Sequence, residues 1–297
     1  MIAPASVVAV DRRATVPSSE VTQYRLVRLP SEVAAAVPSG GTSERKDTAA
    51  RDSGGYLGFL CVLLLSVSAL PSPADITGTI TLQGNPNSKD ETFVAPVSGC
   101  GESAVRHTEN WKVGPKGELG DVVVWVVDPK LADKIGAAIP PEVEVKQLGC
   151  RYIPHVIAIQ AGVPFKITNA DPTLHNIRAK VSDGPGKPPG ADVPGFNFGQ
   201  ARQGQTDDKQ LDDPGLYTLQ CDVHPWMQCW VMALKSSCFG VTVLDGTFKL
   251  RSGSELADGD YKIDAWHPRF AQTLEQTIHV KNGTANINFQ FDGTKSF

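Results

Sequence analysis

The chain is predicted to be all-β, and three observations point that way. From residue 75 onward, short runs of alternating apolar residues are separated by turn residues; 28 glycines and 22 prolines supply the turns; aromatic residues are few, at 7%. A length of 297 residues suits one large or two modest domains. The net charge of −4 comes without the clustered Lys and Arg of a basic domain, so nucleic acid is not an expected partner.

The first elements are not strands. Residues 1–53 mix small residues, prolines and charges of both signs with no sustained period, and read as a disordered leader or as a start written upstream of the true one. Residues 54–74 read as a signal peptide. Their apolar run, 56–70, is too short for a comfortable membrane span, with Arg51 upstream and small residues downstream. Cleavage fits equally after Ala69 or after Ala74; left uncleaved, the run is an anchor that holds the domain at a membrane. Either way the folded part is expected outside the cytoplasm, in a periplasmic or other extracytoplasmic space.

Strand patterns then follow in order. "GTITLQG" and "VVVWV" fall before residue 140. "HVIAIQ" and "PFKITN" alternate around an "AG" turn, and His175 opens a third run, "HNIRA", after a turn rich in Asp and Pro. "PGLYTLQC" leads to Cys221 and "CWVMAL" reads as a closing strand whose Met232 packs in the core. "CFGVTVLDGTFKL", "GDYKIDAW" and "QTIHVKNGTANINFQF" complete the chain.

Export changes how the cysteines read. Cys61 leaves with the signal, and Cys100, Cys150, Cys221, Cys229 and Cys238 remain, an odd number for an oxidising compartment. Cys221 is the natural exception, because a metal would hold it as a thiolate. Cys100 and Cys150, both in loop-like sequence, are the expected disulfide. Cys229 and Cys238 are expected as free buried thiols, since an extended strand between them holds the sulfurs too far apart.

The segment "LQCDVHPWMQCWV", residues 219–231, collects a thiolate, an imidazole and a thioether at three-residue intervals. These soft or borderline donors suit copper better than magnesium or calcium, which take oxygen. Zinc is the main rival, as Cys and His suit it too, though structural zinc rarely takes a thioether. One more histidine is required, and His175, at the end of a turn and the start of a strand, is the candidate. His155 reads as structural or surface, and His107, His267 and His279 have no comparable neighbours.

"FKITNADPTLHNIRA" followed by "PGLYTLQCDVHPWM" resembles a cupredoxin, the blue-copper Greek-key β-sandwich, and the Cys-x-x-His-x-x-Met spacing looks most like the amicyanin type. The resemblance covers about residues 143–236. It implies one type 1 copper held by His175, Cys221, His224 and Met227. It also implies that Asn176 directs its backbone N–H at the Cys221 sulfur while its side chain ties two loops together. Cys229 departs from the family pattern, which has a small residue there; a second thiol so close would compete as a ligand or oxidise.

The flanking strands resemble a transthyretin-like, carboxypeptidase-regulatory β-sandwich. On that resemblance, residues 75–140 and 237–297 are its two parts and the copper domain, 141–236, is inserted in it or packed beside it. That sandwich shows no catalytic constellation. "DAWHPRF" offers an aromatic residue to a partner or, by the plainer reading, places Trp266 in the core.

These readings imply an exported electron carrier that exchanges single electrons with a redox protein donor and acceptor, and not an enzyme. Four protein donors leave no vacancy for substrate, and the His-x-His pairs of multicopper oxidases and copper nitrite reductases are missing from the sequence. The edge of His224, lipped by Pro225 and Trp226, is the expected electron path; Trp226 equally fits packing against the adjacent loop. The alternatives are a copper-binding or delivery protein with an exchangeable site, and a cell-surface binding module with a structural metal.

Overall fold

The structure, a computed structural model, describes residues 75–95, 99–101, 105–128, 143–251 and 256–297. The leader and signal expected at 1–53 and 54–74 lie outside these residues, as do 129–140 of the first flanking part and 141–142 at the start of the expected copper domain.

The described residues form strands throughout, with a single 3-10 turn at Gly293–Lys295. Before residue 130 come β1 (Asp75–Gln83), β2 (Thr92–Val94), β3 (Val105–His107) and β4 (Val123–Val127). The central stretch holds β5 (Glu144–Gln147), β6 (Tyr152–Ile153), β7 (Val156–Gln160), β8 (Phe165–Asn169), β9 (His175–Ser182), β10 (Pro189–Gln200), β11 (Thr206–Lys209), β12 (Gly215–Gln220) and β13 (Gln228–Leu234). The last stretch holds β14 (Phe239–Val241), β15 (Thr247–Arg251), β16 (Gly259–Trp266), β17 (Leu274–Val280), β18 (Thr284–Asn286) and β19 (Phe289–Asp292).

Pairing sorts them by sequence region. An eight-stranded sheet runs β17-β16-β4-β14-β15-β1-β18, with β19 also pairing β1. The central strands make a five-stranded sheet, β10-β9-β12-β13-β7, and a four-stranded sheet, β11-β8-β5-β6, while β2 and β3 form a hairpin. The chain therefore leaves the large sheet after β4 and re-enters it at β14. These two are direct neighbours, Gly240 opposite Val124, so the excursion begins and ends at one place.

Alternation along the strands accounts for the layering. In β13, Cys229, Val231 and Ala233 face the core between the central sheets, whereas Trp230, Met232 and Leu234 face outward into a second cluster. β7 does the same with Ile157 and Ile159 on one side and Val156 and Ala158 on the other, which is why it is buried along its whole length. The outward face meets Val123, Phe239 and Trp266 of the large sheet. Trp230 and Trp266 cross edge-to-face there, centroids 5.9 Å apart, a geometry contributing about 0.5–1.5 kcal/mol beyond area burial. The plainer expectation for Trp266, core packing, describes it.

Two glycines set close approaches in the large sheet. A side chain at Gly78 would collide with the Ile287 carbonyl, so its absence lets β1 run between its partners. Gly246, at φ 68°, follows Asp245 in the β14–β15 turn, a left-handed position that suits glycine.

Candidate metal centre

Strand register brings the donors together. β12 pairs antiparallel with β9, Gln220 opposite Arg178, so the next residue, Cys221, comes alongside the start of β9, where His175 and Asn176 sit. β12 also pairs with β13, Gln220 opposite Gln228. Cys221 and Met227 are thus the first and last residues of one hairpin loop and face each other across its base. The loop turns back on itself as the Met227 N–H donates to the His224 carbonyl at 2.9 Å.

Ligand atoms of His175, Cys221 and His224 all lie within 4.8 Å of one another, and all three residues are buried. The two Nδ1 atoms are 3.0 Å apart and the Cys221 Sγ is 3.7 Å from the His224 Nδ1. Those are the separations left between donors that share one ion at roughly 2.0–2.3 Å from each. Met227, 1% exposed, belongs to the same buried cluster as Cys221.

The surroundings fix the protonation this would need. Burial is the main cause lowering the pKa of His175, with Asp171 opposing it. Burial also lowers His224, helped by the charge of His175. Both rings are therefore held in the neutral, ligating form. His175 turns its Nε2 to the Asp171 carboxylate at 2.9 Å, leaving Nδ1 as the lone pair toward the donors. The Asn176 backbone N–H points at the Cys221 sulfur at 3.3 Å. Its side chain ties β10 to the loop after β12, donating to Asn197 and the Phe198 carbonyl and accepting from the Asp222 N–H at 3.2 Å, where two loops were expected.

Sequence reasoning missed two residues here. Asp171 accepts the Gly149 and Cys150 N–H groups at 2.7 and 2.8 Å besides holding His175. Tyr152, fully buried, donates to the Asn176 and Gln220 carbonyls at 2.8 and 3.2 Å, tying the strand of one donor to the strand of another. An acidic residue four positions before a candidate ligand was the available signal for Asp171; nothing in the sequence marked Tyr152.

The expected exposed edge of His224 is corrected by the fold. His224 is 8% exposed because the Cys100–Cys150 disulfide covers its Nε2, with the sulfurs 3.6 and 3.7 Å away. Arg106, in β3, donates to the Cys100 carbonyl at 2.9 Å. Trp226 is half-buried, its ring 5.3 Å from that of His224, and its Nε1 donates to the Cys150 carbonyl at 3.0 Å. It packs against the adjacent loop and does not form a lip at an open edge.

Cys221 and Cys229 are free and buried, and Cys238 is buried. Cys229 directs its thiol at the Pro154 carbonyl, 3.5 Å away, and burial pushes its pKa well up. Among the described residues it joins none of the groups that could hold a metal. His155 is structural, its Nδ1 3.0 Å from the Gln228 carbonyl at the head of β13.

No family model and no curated protein matches the chain. Among solved structures it is similar to a purple cupredoxin from Nitrosopumilus maritimus, with 21% identity over 31% of this chain and 100% of that one, at TM-score 0.27. It is similar to amicyanin from Paracoccus versutus at 20% identity, over 37% of this chain and 97% of the other, TM-score 0.26. It also matches a copper-containing nitrite reductase from Thermus scotoductus at 24% identity, TM-score 0.25, over 33% of this chain and only 23% of the reductase. Likenesses of this size carry no functional argument, which rests on the donors themselves.

Proposed function

We propose that this chain is an exported type 1 copper protein that carries single electrons, with His175, Cys221 and His224 as ligands and Met227 as the weak axial donor. The observation that carries the reading is the convergence of two neutral imidazoles and one thiol within 4.8 Å, with a backbone N–H on the sulfur. Copper in that set supplies a one-electron couple.

The chain's own residues do the rest. Asp171 orients the His175 ring and makes it a better donor. The Asn176 N–H withdraws charge from the thiolate, which favours the reduced state. Tyr152 keeps the two donor strands in register, and the disulfide strap excludes water from His224. Burial of every donor argues against the delivery reading, which needs an exchangeable site. The disulfide supports an oxidising compartment. The large sheet, which the sequence likens to a transthyretin-like sandwich, serves as a scaffold.

The test is the visible absorption and electron paramagnetic resonance spectrum of the full chain after addition of Cu(II) and then ascorbate. An intense blue band that bleaches and returns on reoxidation is expected. A colourless protein, or one that takes up zinc alone, would sink the proposal.

A further inference from the structure

The disulfide that covers His224 is held by more than its own bond. The Cys100 carbonyl accepts from Arg106 at 2.9 Å. The Cys150 carbonyl accepts from the Trp226 indole at 3.0 Å, and the Cys150 N–H donates to the Asp171 carboxylate at 2.8 Å. Gly99 and Gly101 flank Cys100 and Gly149 precedes Cys150, all three at positive φ, so each sulfur sits on a tight loop that glycine allows. The backbone of both loops is thus anchored independently of the bridge. Opening the S–S bond leaves two buried thiols in place, at the positions now 3.6 and 3.7 Å from the His224 Nε2.

Those distances suit a shared ion. Zinc holds nitrogen and sulfur donors at about 2.0–2.3 Å, which sets them about 3.5 Å apart around a tetrahedron. Donor atoms of Cys100, Cys150 and His224 all lie within 4.8 Å of one another, and the Asp171 carboxylate lies equally close to the Cys150 sulfur. We propose that reduction of the disulfide creates a zinc site of Cys100, Cys150 and the His224 Nε2, with Asp171 as fourth donor. A dithiol reductant gives two electrons and two protons to the bridge and is itself oxidised to a disulfide; the S–S bond breaks and both cysteines become thiols. Binding of Zn(II) releases the two thiol protons to solvent. A neutral imidazole has one acceptor nitrogen, so zinc on Nε2 puts the ring proton on Nδ1 and takes His224 away from Cys221. Reduction exchanges one metal centre for another around a single ring. The new site stands whether or not the first one takes copper.

The experiment uses Zn(II) alone as the probe and the full chain carrying Cys221→Ala, which removes the rival thiolate. One portion keeps its disulfide; the other is reduced with dithiothreitol in denaturant and refolded free of oxygen and reductant. Titrated with Zn(II) against a colorimetric chelator, the reduced portion is expected to retain a single zinc per chain and the oxidised portion none. The bound zinc should also block re-formation of the disulfide in air, read as the mass of alkylated cysteines. Cys150→Ser and His224→Gln, each made in the same background and reduced, should lose the zinc. Equal zinc uptake by the two portions overturns the proposal, as does zinc retained in Cys150→Ser. So does a reduced chain whose circular dichroism shows that the β fold is lost, because the anchored loops are then not enough to hold the thiols.

Discussion

The two sheet systems of this molecule have the same alternating grammar and opposite contents. The core between the central sheets contains Cys221, Met227, Cys229 and the Cys100–Cys150 bridge, and two buried histidines adjoin it. The core of the large sheet is hydrocarbon and aromatic, with Cys238 its one sulfur among the described residues. Chemistry is concentrated where one hairpin loop and one strand end meet, and the rest of the fold holds them still.

The largest effect expected is from Cys221→Ala. Blue colour on Cu(II) addition should vanish, while thermal unfolding of the copper-free protein changes little; persistence of the band would remove the thiolate from the site.

Acid should act on the other region. His267, buried against Trp111 with centroids 5.3 Å apart, has its pKa lowered to about 3, first by burial and then by the charges of His155 and Arg269. The unfolded imidazole takes its proton near 6.5 and the folded one does not, so stability is full above that value. It falls as pH drops toward 3, by roughly 4–5 kcal/mol over the interval. Denaturant midpoints from pH 7 to 4 should fall more steeply in the native chain than in His267→Gln; equal slopes would assign the acid sensitivity elsewhere.

A smaller change is expected from Asp171→Asn, which keeps the shape beside His175 but removes the charged acceptor. Copper affinity, measured by chelator competition, should drop about 10–100-fold, with the large sheet's unfolding unaffected. Smallest is Met227→Gln, which should leave the site coloured and lower its potential because a harder oxygen favours Cu(II); voltammetry that finds the potential unmoved would show that Met227 is not axial.

Much of this was legible because it follows from local pattern. The runs at "HVIAIQ" and "PFKITN" are β7 and β8, and "PGLYTLQC" ends in β12 with the cysteine just beyond. The donors proposed here were picked out by residue type and spacing. What was not legible depends on strands distant in sequence. The Cys100 strap reaches His224 from 124 residues away, so no local signal could show the imidazole edge to be covered. β10 escaped notice because "PGADVPGFNFGQ" has no clean alternation; its pairing with β9 shifts register twice, and Gly195 takes φ 72°. Asp171 looked like turn punctuation before a proline, and its carboxylate acquires its partners only when the Cys150 loop folds over it.

Three sulfurs stand around one imidazole: Cys221 at 3.7 Å from one ring nitrogen, and Cys100 and Cys150 at 3.6 and 3.7 Å from the other. The consequence is one of timing. In the reduced chain, any two of these thiols can pair, and thiolate exchange shuffles them. Only one pairing leaves Cys221 available. On the proposed function, an ion bound before oxidation would reserve Cys221 and leave the other two to close over His224. An oxidant that arrives first has no such guide, and maturation has a preferred direction.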